Sequence, residues 1–285
     1  PITWTRLIVD WFDAGRGRAL GIALAGTGVS ATFIPIYATW LITEFGWRMT
    51  YIGLAALPAL IALPLSYFFL YDRTGHSAKA AKHRQPQLSG MEFGEVLKGY
   101  RFWALNVAFV MVGMCIAGLI AHLIPMLTDR NVPATTAAQV AGTIGISVIV
   151  GRIGTGYLID RFWAPAVGVA VLSLPALSCV VLAVGYGGIP GALFAAVLVG
   201  LAAGAEFDLM SFLVTRYFGQ RRYGLIYSCL YAVFKLSAGI GAPLFGLSFD
   251  LTGSYEFILY CAAGSLIGGS LLMLLLGPYR VDVKN

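Results

Sequence analysis

Apolar stretches of about twenty residues recur along the chain and are separated by short polar turns. A helix needs about twenty apolar residues to cross the hydrocarbon core of a bilayer. No long apolar stretch alternates with a period of two, so the pattern predicts membrane helices and excludes a membrane β-barrel. Residues 1–12 are predicted to be the last turns of an earlier span. Eight stretches are predicted to be complete spans: 17–43, 49–71, 101–128, 134–158, 164–186, 190–215, 223–248 and 256–277.

The composition agrees with a chain that lies largely within a membrane. Its mean hydropathy is +0.81, and 11% of its residues are charged, against about 25% in soluble domains. The net charge of +6 is spread over the turns without a continuous basic face, which excludes nucleic acid as a partner. No phosphate loop, HExxH or nucleophile elbow is present, and the four cysteines match no metal or disulfide spacing. The sequence therefore predicts an all-α, multi-pass membrane protein that is not an enzyme and carries no cofactor or metal.

The positive charges outside the apolar stretches fall almost entirely on one side of the predicted membrane. With the turn after residue 12 placed in the cytoplasm, the outer side holds Arg48 and Arg130. The cytoplasmic side holds Arg16, Arg18, Arg73, Lys79, Lys82, Arg84, Lys98, Arg101, Arg161, Arg216, Arg221, Arg222, Arg280 and Lys284. Because Lys and Arg are enriched in cytoplasmic loops, we expect the loop 72–98 and the C-terminus to be cytoplasmic. The expected location is the inner (plasma) membrane of a bacterium.

One loop is longer and more polar than the others and divides the chain. Residues 72–98 are predicted to be a cytoplasmic linker between the remainder of an N-terminal bundle, residues 1–71, and a six-helix C-terminal bundle, residues 99–285. The stretches that begin WFDAGRGRALG and YFGQRRYGLI share an aromatic residue, arginines, a glycine and a helix of small residues, which indicates two related halves. Equal halves would place four spans before residue 17. Since Pro1 already lies in a span-like segment, we expect a fragment whose partner is its own missing N-terminal spans; the alternative is a nine-span protein.

A compact motif ends the fourth complete span. The segment GRIGTGYLIDRF carries Gly156, Asp160 and Arg161. Glycine allows helices to approach closely, and the aspartate can accept hydrogen bonds from N–H groups at the start of a neighbouring helix. The spacing Gly-x-x-x-Asp-Arg after an even-numbered span resembles the loop signature of the major facilitator superfamily. The resemblance implies that these three residues form a conformational latch.

Other segments extend this resemblance over nearly the whole chain. WFDAGRGRALGIALAG is similar to the passage between spans four and five of the monocarboxylate and oxalate/formate porters. HLIPMLTDRNVP, GAEFDLMSFLVTRYFG and GSYEFILYCAA resemble bacterial members of that branch. The resemblance implies the major facilitator fold, twelve spans around a central cavity, of which this chain would supply the end of span four and spans five to twelve. It also implies proton- or exchange-coupled movement of small carboxylates.

Lys235 is a cation about halfway along the predicted span 223–248, near the bilayer centre. A charge at that depth costs about 2.5–3.5 kcal/mol on insertion scales, and such residues usually face a cavity or a partner. Tyr227 and Tyr231 lie on the same helix face, so this stripe offers a carboxylate one cation and two hydroxyls. The alternative is a structural pair with Glu206. The resemblance also implies a substrate-contacting lysine in this span.

Arg152 lies on a glycine-rich span and can hold a carboxylate through two parallel hydrogen bonds. The alternative is a side chain that extends to the cytoplasmic surface. The resemblance implies substrate binding, because both porter groups use an arginine of span eight and Arg152 matches it in the string GR-x-x-x-G. Val148 stands where monocarboxylate transporters carry an aspartate one turn earlier. We therefore expect no proton handling by a pair within this span.

Three further titratable residues are candidates for proton coupling: Glu206, Asp208 and His122. Glu206 and Asp208 are two residues apart and point about 200° apart on a helix, so they cannot share one site. One is expected to carry protons in the cavity, and the other to pair with a cation such as Arg216 or Lys235. His122 lies near the outer end of its span and is either a proton gate or an interfacial hydrogen-bonding residue.

The candidate residues together predict a secondary active transporter that moves a small mono- or dicarboxylate by alternating access, coupled to protons or to a counter-anion. Lys235, Arg152, Tyr227 and Tyr231 would bind the substrate, and Glu206 would be the leading proton carrier. Two alternatives stay open. One is a major facilitator transporter of another substrate class, such as a drug or a sugar. The other is a receptor or sensor built on the transporter fold.

Overall fold

The structure is a computed structural model that describes residues 16–69, 90–185, 187–219 and 221–279. Its helices are α1 (Arg16–Leu57), α2 (Leu63–Phe69), α3 (Phe93–Lys98), α4 (Tyr100–Thr128), α5 (Ala134–Arg161), α6 (Ala164–Leu172), α7 (Leu174–Val184), α8 (Gly188–Phe218), α9 (Tyr223–Thr252) and α10 (Glu256–Leu272). The predicted end of an earlier span in residues 1–12, most of the predicted linker and the predicted cytoplasmic C-terminus lie outside the described residues.

Seven helical stretches within the described ranges are long and apolar enough to cross a membrane. The first, Gly28–Phe68, contains the boundary between the predicted spans 17–43 and 49–71. It is interrupted at Gly46, whose φ of 78° and ψ of 167° are accessible to glycine at little cost, so two helices meet at the predicted turn. The other six match the predicted spans: Tyr100–Thr128, Ala134–Arg161, Ala164–Val184, Gly188–Phe218, Tyr223–Thr252 and Glu256–Leu276. The prediction of an all-α, multi-pass membrane protein is confirmed.

Proline accounts for one division that the sequence pattern does not predict. The predicted span 164–186 consists of two helical segments, α6 and α7, which are separated at Ser173. Pro175 has no N–H to donate to the carbonyl of Val171, and its ring clashes with that carbonyl in a regular helix. The N–H of Ser173 still donates to the carbonyl of Val169 at 3.2 Å, the regular bond of the last turn of α6, and it also reaches the carbonyl of Val171. The predicted span is therefore divided into two segments at this point.

Glycines permit the closest approach between the two helices that carry most of the candidate site. An added side-chain carbon on Gly151, Gly200 or Gly204 would overlap backbone atoms of the opposite helix across the contact between α5 and α8. Gly204 in particular lies against the carbonyl of Val148 and the backbone nitrogen of Arg152. Close backbone contact of this kind is how small residues hold membrane helices together. It fixes the height of α5 relative to α8.

Gly204→Val is expected to destabilise the bundle, because neither backbone can yield without separating α5 from α8. Overpacking of this kind costs about 1–3 kcal/mol. Thermal unfolding in detergent would show a Tm below that of the wild type. Gly264→Val is the matched control, since Gly264 is exposed on α10 and an added carbon there meets nothing within 4 Å. Equal Tm values for the two variants would contradict the prediction.

The remaining helices enclose a continuous apolar core through α4–α10. α9 packs on α4, where Phe234 and Phe245 lie against Gly113 and Gly118. α1 approaches α5 at Gly145, whose position has no room for a side chain beside the backbone of α1. The largest fully buried side chains include Tyr217, Phe109, Leu105, Leu119, Leu172 and Leu209. This core holds α5, α8 and α9 in a fixed arrangement around the polar residues.

The start of α3 is attached to the turn between α8 and α9. Glu92 accepts a hydrogen bond from Nε of Arg222 at 3.0 Å and pairs with Nη2 of Arg221 at 2.9 Å. The hydrogen bond from Arg222 holds the pKa of Glu92 below its ordinary value. The N–H of Met91 also donates to the carbonyl of Phe218 at 2.9 Å. The chain that follows the predicted linker is therefore tied to the turn that leads into α9.

Candidate functional site

Three consecutive residues of α8, Glu206, Phe207 and Asp208, face different neighbours. Glu206 is buried and interacts electrostatically with Lys235 of α9. Phe207 lies between Glu206 and Asp208 in the sequence, and its ring contacts those of Tyr231 and Phe234 on α9. Asp208 faces α5, where it pairs with Arg152. The two acids diverge as the helical rotation requires, and among the described residues only Asp208 forms an ion pair within 4.0 Å.

Arg152 and Asp208 form a partly buried ion pair between α5 and α8. Nη1 of Arg152 lies 3.8 Å from Oδ1 of Asp208, and the two side chains are 11% and 25% exposed. In the described part of the chain, Nε of Arg152 is buried and has no hydrogen-bond partner. A guanidinium has five N–H donors, so Arg152 retains donors for a further acceptor.

The structure pairs Asp208 with a cation that the sequence analysis did not name for it. That cation is Arg152 of α5. The physical reason is the glycine contact at Gly204, one helical turn before Asp208, which brings its face of α8 against the backbone of Arg152. A carboxylate from α8 thus stands beside an arginine whose own helix has Val148 in place of an acid.

Lys235 lies among aromatic rings on the face of α9 that the sequence predicts. Its Nζ is 5.4 Å from the ring centre of Phe207, 5.5 Å from that of Tyr231 and 5.7 Å from that of Phe234. The residue is exposed, and among the described side chains it forms no ion pair within 4.0 Å. Its interaction with Glu206 is a longer-range one. The rings compensate part of the charge, and the ammonium remains available to a ligand.

Glu206 is the most deeply buried charged residue among the candidates. It is 4% exposed, and within the described ranges its Oε1 atom has no hydrogen-bond donor. An ionised carboxylate in such a place is unfavourable unless a cation compensates it. Lys235 of α9 lies beside the next residue of α8, with its Nζ 5.4 Å from the ring centre of Phe207. A positive charge thus stands across the contact between α8 and α9 from Glu206.

The tyrosines of α9 form a stacked column that we call the tyrosine ladder: Tyr223, Tyr227 and Tyr231. The ring centres of Tyr223 and Tyr227 are 5.6 Å apart with planes at 17°, and those of Tyr227 and Tyr231 are 6.0 Å apart with planes at 22°. The hydroxyl of Tyr223 lies 2.8 Å from that of Ser211, which lines the same pocket as Asp208. The ladder thus connects the Arg152–Asp208 pair with the surroundings of Lys235, one turn after Tyr231.

His122 occupies a separate place near the end of α4. Its Nε2 lies 2.9 Å from the carbonyl oxygen of Ala242, and its Nδ1 lies 3.2 Å from the hydroxyl of Tyr255. A carbonyl only accepts hydrogen bonds, so Nε2 donates there, and Nδ1 can accept from the tyrosine in a neutral ring. The ring also stacks on Phe245. These contacts join three elements of the bundle, and the role of proton gate stays a prediction.

The motif at the end of α5 lies beside an open pocket of about 400 Å³. The pocket is lined by Ile159, Asp160, Asp208, Ser211, Phe212, Thr215 and Arg216. Asp160 of α5 and Asp208 of α8 therefore line the same pocket, while Arg161 lies with its guanidinium carbon 4.2 Å from the ring centre of Tyr157. Gly156 faces open space. The function of Gly156, Asp160 and Arg161 as a latch stays a prediction.

Sequence reasoning missed three aromatic members of the site. Tyr223 continues the spacing of the ladder by one turn, so the same periodicity could have identified it. Phe207 stands between the two acids, and Phe234 directly precedes Lys235. The sequence pattern did not single out Phe207 or Phe234, because aromatic residues are common throughout the spans. The packing of α8 on α9 brings Phe207 and Phe234 to a ring-centre distance of 5.5 Å.

The comparison with known families agrees with the arrangement of spans. Residues 2–190 match the sequence profile of the Major Facilitator Superfamily, and the chain belongs to this superfamily. Its fold is similar to that of a bacterial homologue of the human lysosomal transporter Spinster, solved in an inward-facing and occupied conformation. The TM-score is 0.57 at 17% sequence identity, and the match covers 95% of this chain and 70% of that one. At this identity the likeness concerns the fold alone.

Curated relatives include transporters named for monocarboxylates. The chain is 26% identical to monocarboxylate transporter 13 of Rattus norvegicus, over 91% of this chain and 59% of the relative. It is 27% identical to monocarboxylate transporter 10 of Danio rerio, over 93% of this chain and 53% of the relative. An uncharacterized MFS-type transporter, YcxA of Bacillus subtilis, is 25% identical. The chain spans a little over half the length of the monocarboxylate transporters that it matches.

Proposed function

We propose that this chain carries the substrate site of a secondary transporter that moves small organic anions across the membrane by alternating access. The observation that supports this most directly is Lys235. It is an exposed cation near the middle of a membrane span, surrounded by aromatic rings and without an ion-pair partner within 4.0 Å among the described residues. A charge is retained at such a depth when it serves a cavity, a partner or a ligand. The names of the relatives favour a carboxylate as that ligand.

Each substrate-binding residue has a distinct part in this proposal. Lys235 neutralises the carboxylate, and the hydroxyls of Tyr227 and Tyr231 donate hydrogen bonds along the same face of α9. Arg152 offers N–H donors that have no partner among the described residues, while Asp208 balances its charge. The site thereby combines a single unpaired cation with several hydrogen-bond donors, which suits an anion and disfavours an organic cation.

Proton coupling follows from the competition between Glu206 and the substrate for Lys235. Without substrate, Lys235 compensates the ionised carboxylate of Glu206. When a substrate carboxylate binds Lys235, that compensation is shared, and the neutral form of Glu206 is favoured because its side chain is buried. Substrate and proton would then bind together and leave together. Asp208 and His122 are the secondary candidates for this role, and exchange of two anions is the alternative coupling.

The proposal also concerns the surroundings of the site. Residues 1–71 would belong to the N-terminal bundle, residues 72–98 to a cytoplasmic linker and residues 99–285 to the C-terminal bundle. Gly156, Asp160 and Arg161 would form the cytoplasmic latch between conformations. The membrane would be the inner membrane of a bacterium, with the linker on its cytoplasmic side, as the distribution of Lys and Arg favours for the orientation.

Uptake of labelled carboxylates by the full-length protein in liposomes tests the proposal. We expect saturable uptake of at least one mono- or dicarboxylate, raised several-fold by a proton gradient directed inward, and no uptake of uncharged sugars. Lys98→Gln is a control for the loss of a lysine outside the spans, because Lys98 lies in the last turn of α3. Uptake of sugars or of cationic drugs in place of every carboxylate would overturn the proposal.

A further inference from the structure

We infer that the substrate is an aromatic monocarboxylate, whose ring lies against Tyr227 and Tyr231 while its carboxylate meets Lys235. The inference rests on the proposed function and narrows its substrate class. It uses the rings of the tyrosine ladder, whereas the transport proposal uses only their hydroxyls. Two independent observations carry it: the balance of charges around the ladder, and the geometry of the aromatic surface.

The charges around the ladder leave room for one carboxylate, not two. Arg152 is balanced by Asp208 at 3.8 Å. Lys235 forms no ion pair within 4.0 Å in the described part of the chain. When Glu206 carries the proton of the proposed coupling, the charge of Lys235 has no counter-charge from Glu206. A second carboxylate on the substrate would bring an unpaired negative charge into the membrane interior, which is costly.

The aromatic surface beside Lys235 is continuous and held in place. The hydroxyl of Tyr223 is 2.8 Å from the hydroxyl of Ser211 on α8, which anchors the first ring of the ladder. Phe207 packs against the last ring, with its centre 5.7 Å from that of Tyr231. Tyr227 and Tyr231 are partly exposed. A rigid aromatic wall of this kind binds a flat ring with little further loss of conformational freedom.

The separation between cation and ring also fits an aromatic acid. The Nζ atom of Lys235 is 5.5 Å from the ring centre of Tyr231. A carboxylate that is attached directly to a benzene ring can meet the ammonium while its ring covers Tyr231. A longer aromatic acid would reach Tyr227, about one helical turn or 5.4 Å further along α9. A short aliphatic acid would leave this surface uncovered.

The inference is tested by measuring how strongly unlabelled acids inhibit the uptake of a labelled carboxylate by the full-length protein in liposomes. The four unlabelled acids are benzoate, cyclohexanecarboxylate, acetate and succinate. Benzoate and cyclohexanecarboxylate share one charge and a six-membered ring, and differ in whether the ring is flat and aromatic. Aromatic pairs gain about 0.5–1.5 kcal/mol beyond burial of their area, which corresponds to roughly 2- to 12-fold. We expect benzoate to compete more strongly than cyclohexanecarboxylate by this factor, and acetate and succinate to compete least.

Two pairs of variants separate the rings from the hydroxyls. Tyr227→Leu and Tyr231→Leu should bring the ratio between benzoate and cyclohexanecarboxylate close to one. Tyr227→Phe and Tyr231→Phe keep the rings and should preserve the ratio. Tyr260→Leu is the matched control, because Tyr260 is exposed on α10 and away from the ladder, and it should also preserve the ratio.

The outcomes distinguish this inference from the transport proposal. Equal competition by benzoate and cyclohexanecarboxylate in the wild type, or stronger competition by acetate or succinate, would overturn the aromatic substrate and leave carboxylate transport standing. If Tyr227→Leu and Tyr231→Leu both leave the ratio between benzoate and cyclohexanecarboxylate unchanged, the tyrosine ladder does not bind the ring of the substrate. Carboxylate transport would again remain standing. Failure of every carboxylate to be transported or to compete would overturn both.

Discussion

Lys235→Gln should reduce carboxylate transport by about 100-fold or more while the protein remains inserted and folded. A hydrogen bond to a charged group contributes about 1.5–3 kcal/mol, and about 1.4 kcal/mol corresponds to a tenfold change. The neutral variant also leaves the substrate carboxylate without a counter-charge at mid-membrane depth. The measurement is initial uptake into liposomes at matched amounts of reconstituted protein, with Lys98→Gln as the control.

Lys235→Arg probes the space around the cation. Phe207, Tyr231 and Phe234 surround Nζ with ring centres 5.4–5.7 Å away. A guanidinium is larger and planar, and can stack on these rings instead of pointing at the substrate. We expect this variant to keep a measurable part of the transport activity, well below that of the wild type.

The alternative role for Lys235 is that of a structural partner of Glu206. In that case the loss of one member leaves a buried unpaired charge, and neutralising both restores function. The double variant Lys235→Gln with Glu206→Gln decides between the roles. Continued loss of transport in the double variant supports substrate binding, and recovery of transport would leave Lys235 with a structural role.

The order and limits of the spans could be predicted from the sequence because each follows from local composition. The stretches 101–128 and 134–158 differ by a few residues from Tyr100–Thr128 and Ala134–Arg161. The break at Gly46 lies at the predicted turn between two spans. The division at Ser173 was not predicted, because the span was predicted from the length of its apolar stretch alone. That length does not depend on whether Pro175 can donate an N–H to the helix.

The candidate site likewise contains residues that lie together on one helix and residues that meet only where two helices pack. Tyr227, Tyr231 and Lys235 share one face of one helix, and the sequence period places them together. The pairing of Arg152 with Asp208 joins two helices across the contact at Gly204. Its partners are 56 residues apart, as their numbers show, and no helical period relates them. Interhelical contacts of this kind require the packed bundle.

The separation of the two acids has a consequence for coupling. Asp208 has Arg152 at 3.8 Å and lines an open pocket, so its ionised form keeps a close counter-charge of its own. Glu206 shares its only described counter-charge, Lys235, with the proposed substrate. A proton carrier must change its affinity for protons when substrate binds. This difference favours Glu206 over Asp208 as the coupling residue.

Glu206→Gln should therefore uncouple transport from protons without abolishing it. The variant removes the group that takes up a proton when substrate binds Lys235, and leaves Lys235 able to bind the anion. Accumulation driven by a proton gradient should fall to the level reached without a gradient, while exchange of labelled for unlabelled substrate persists. Because each anion would cross without a proton, uptake should respond to a membrane potential that is positive inside, to which the proton-coupled wild type should be insensitive.

Asp208→Asn is the matched comparison, since it removes a carboxylate two residues away on the same helix. It should retain accumulation driven by the proton gradient, although the loss of the partner of Arg152 is expected to lower the amount of folded protein. Both variants are measured in liposomes at equal protein, with the proton gradient and a potassium diffusion potential imposed separately. If Asp208→Asn loses the response to protons and Glu206→Gln keeps it, the proton carrier is Asp208, and the competition for Lys235 does not couple the two fluxes.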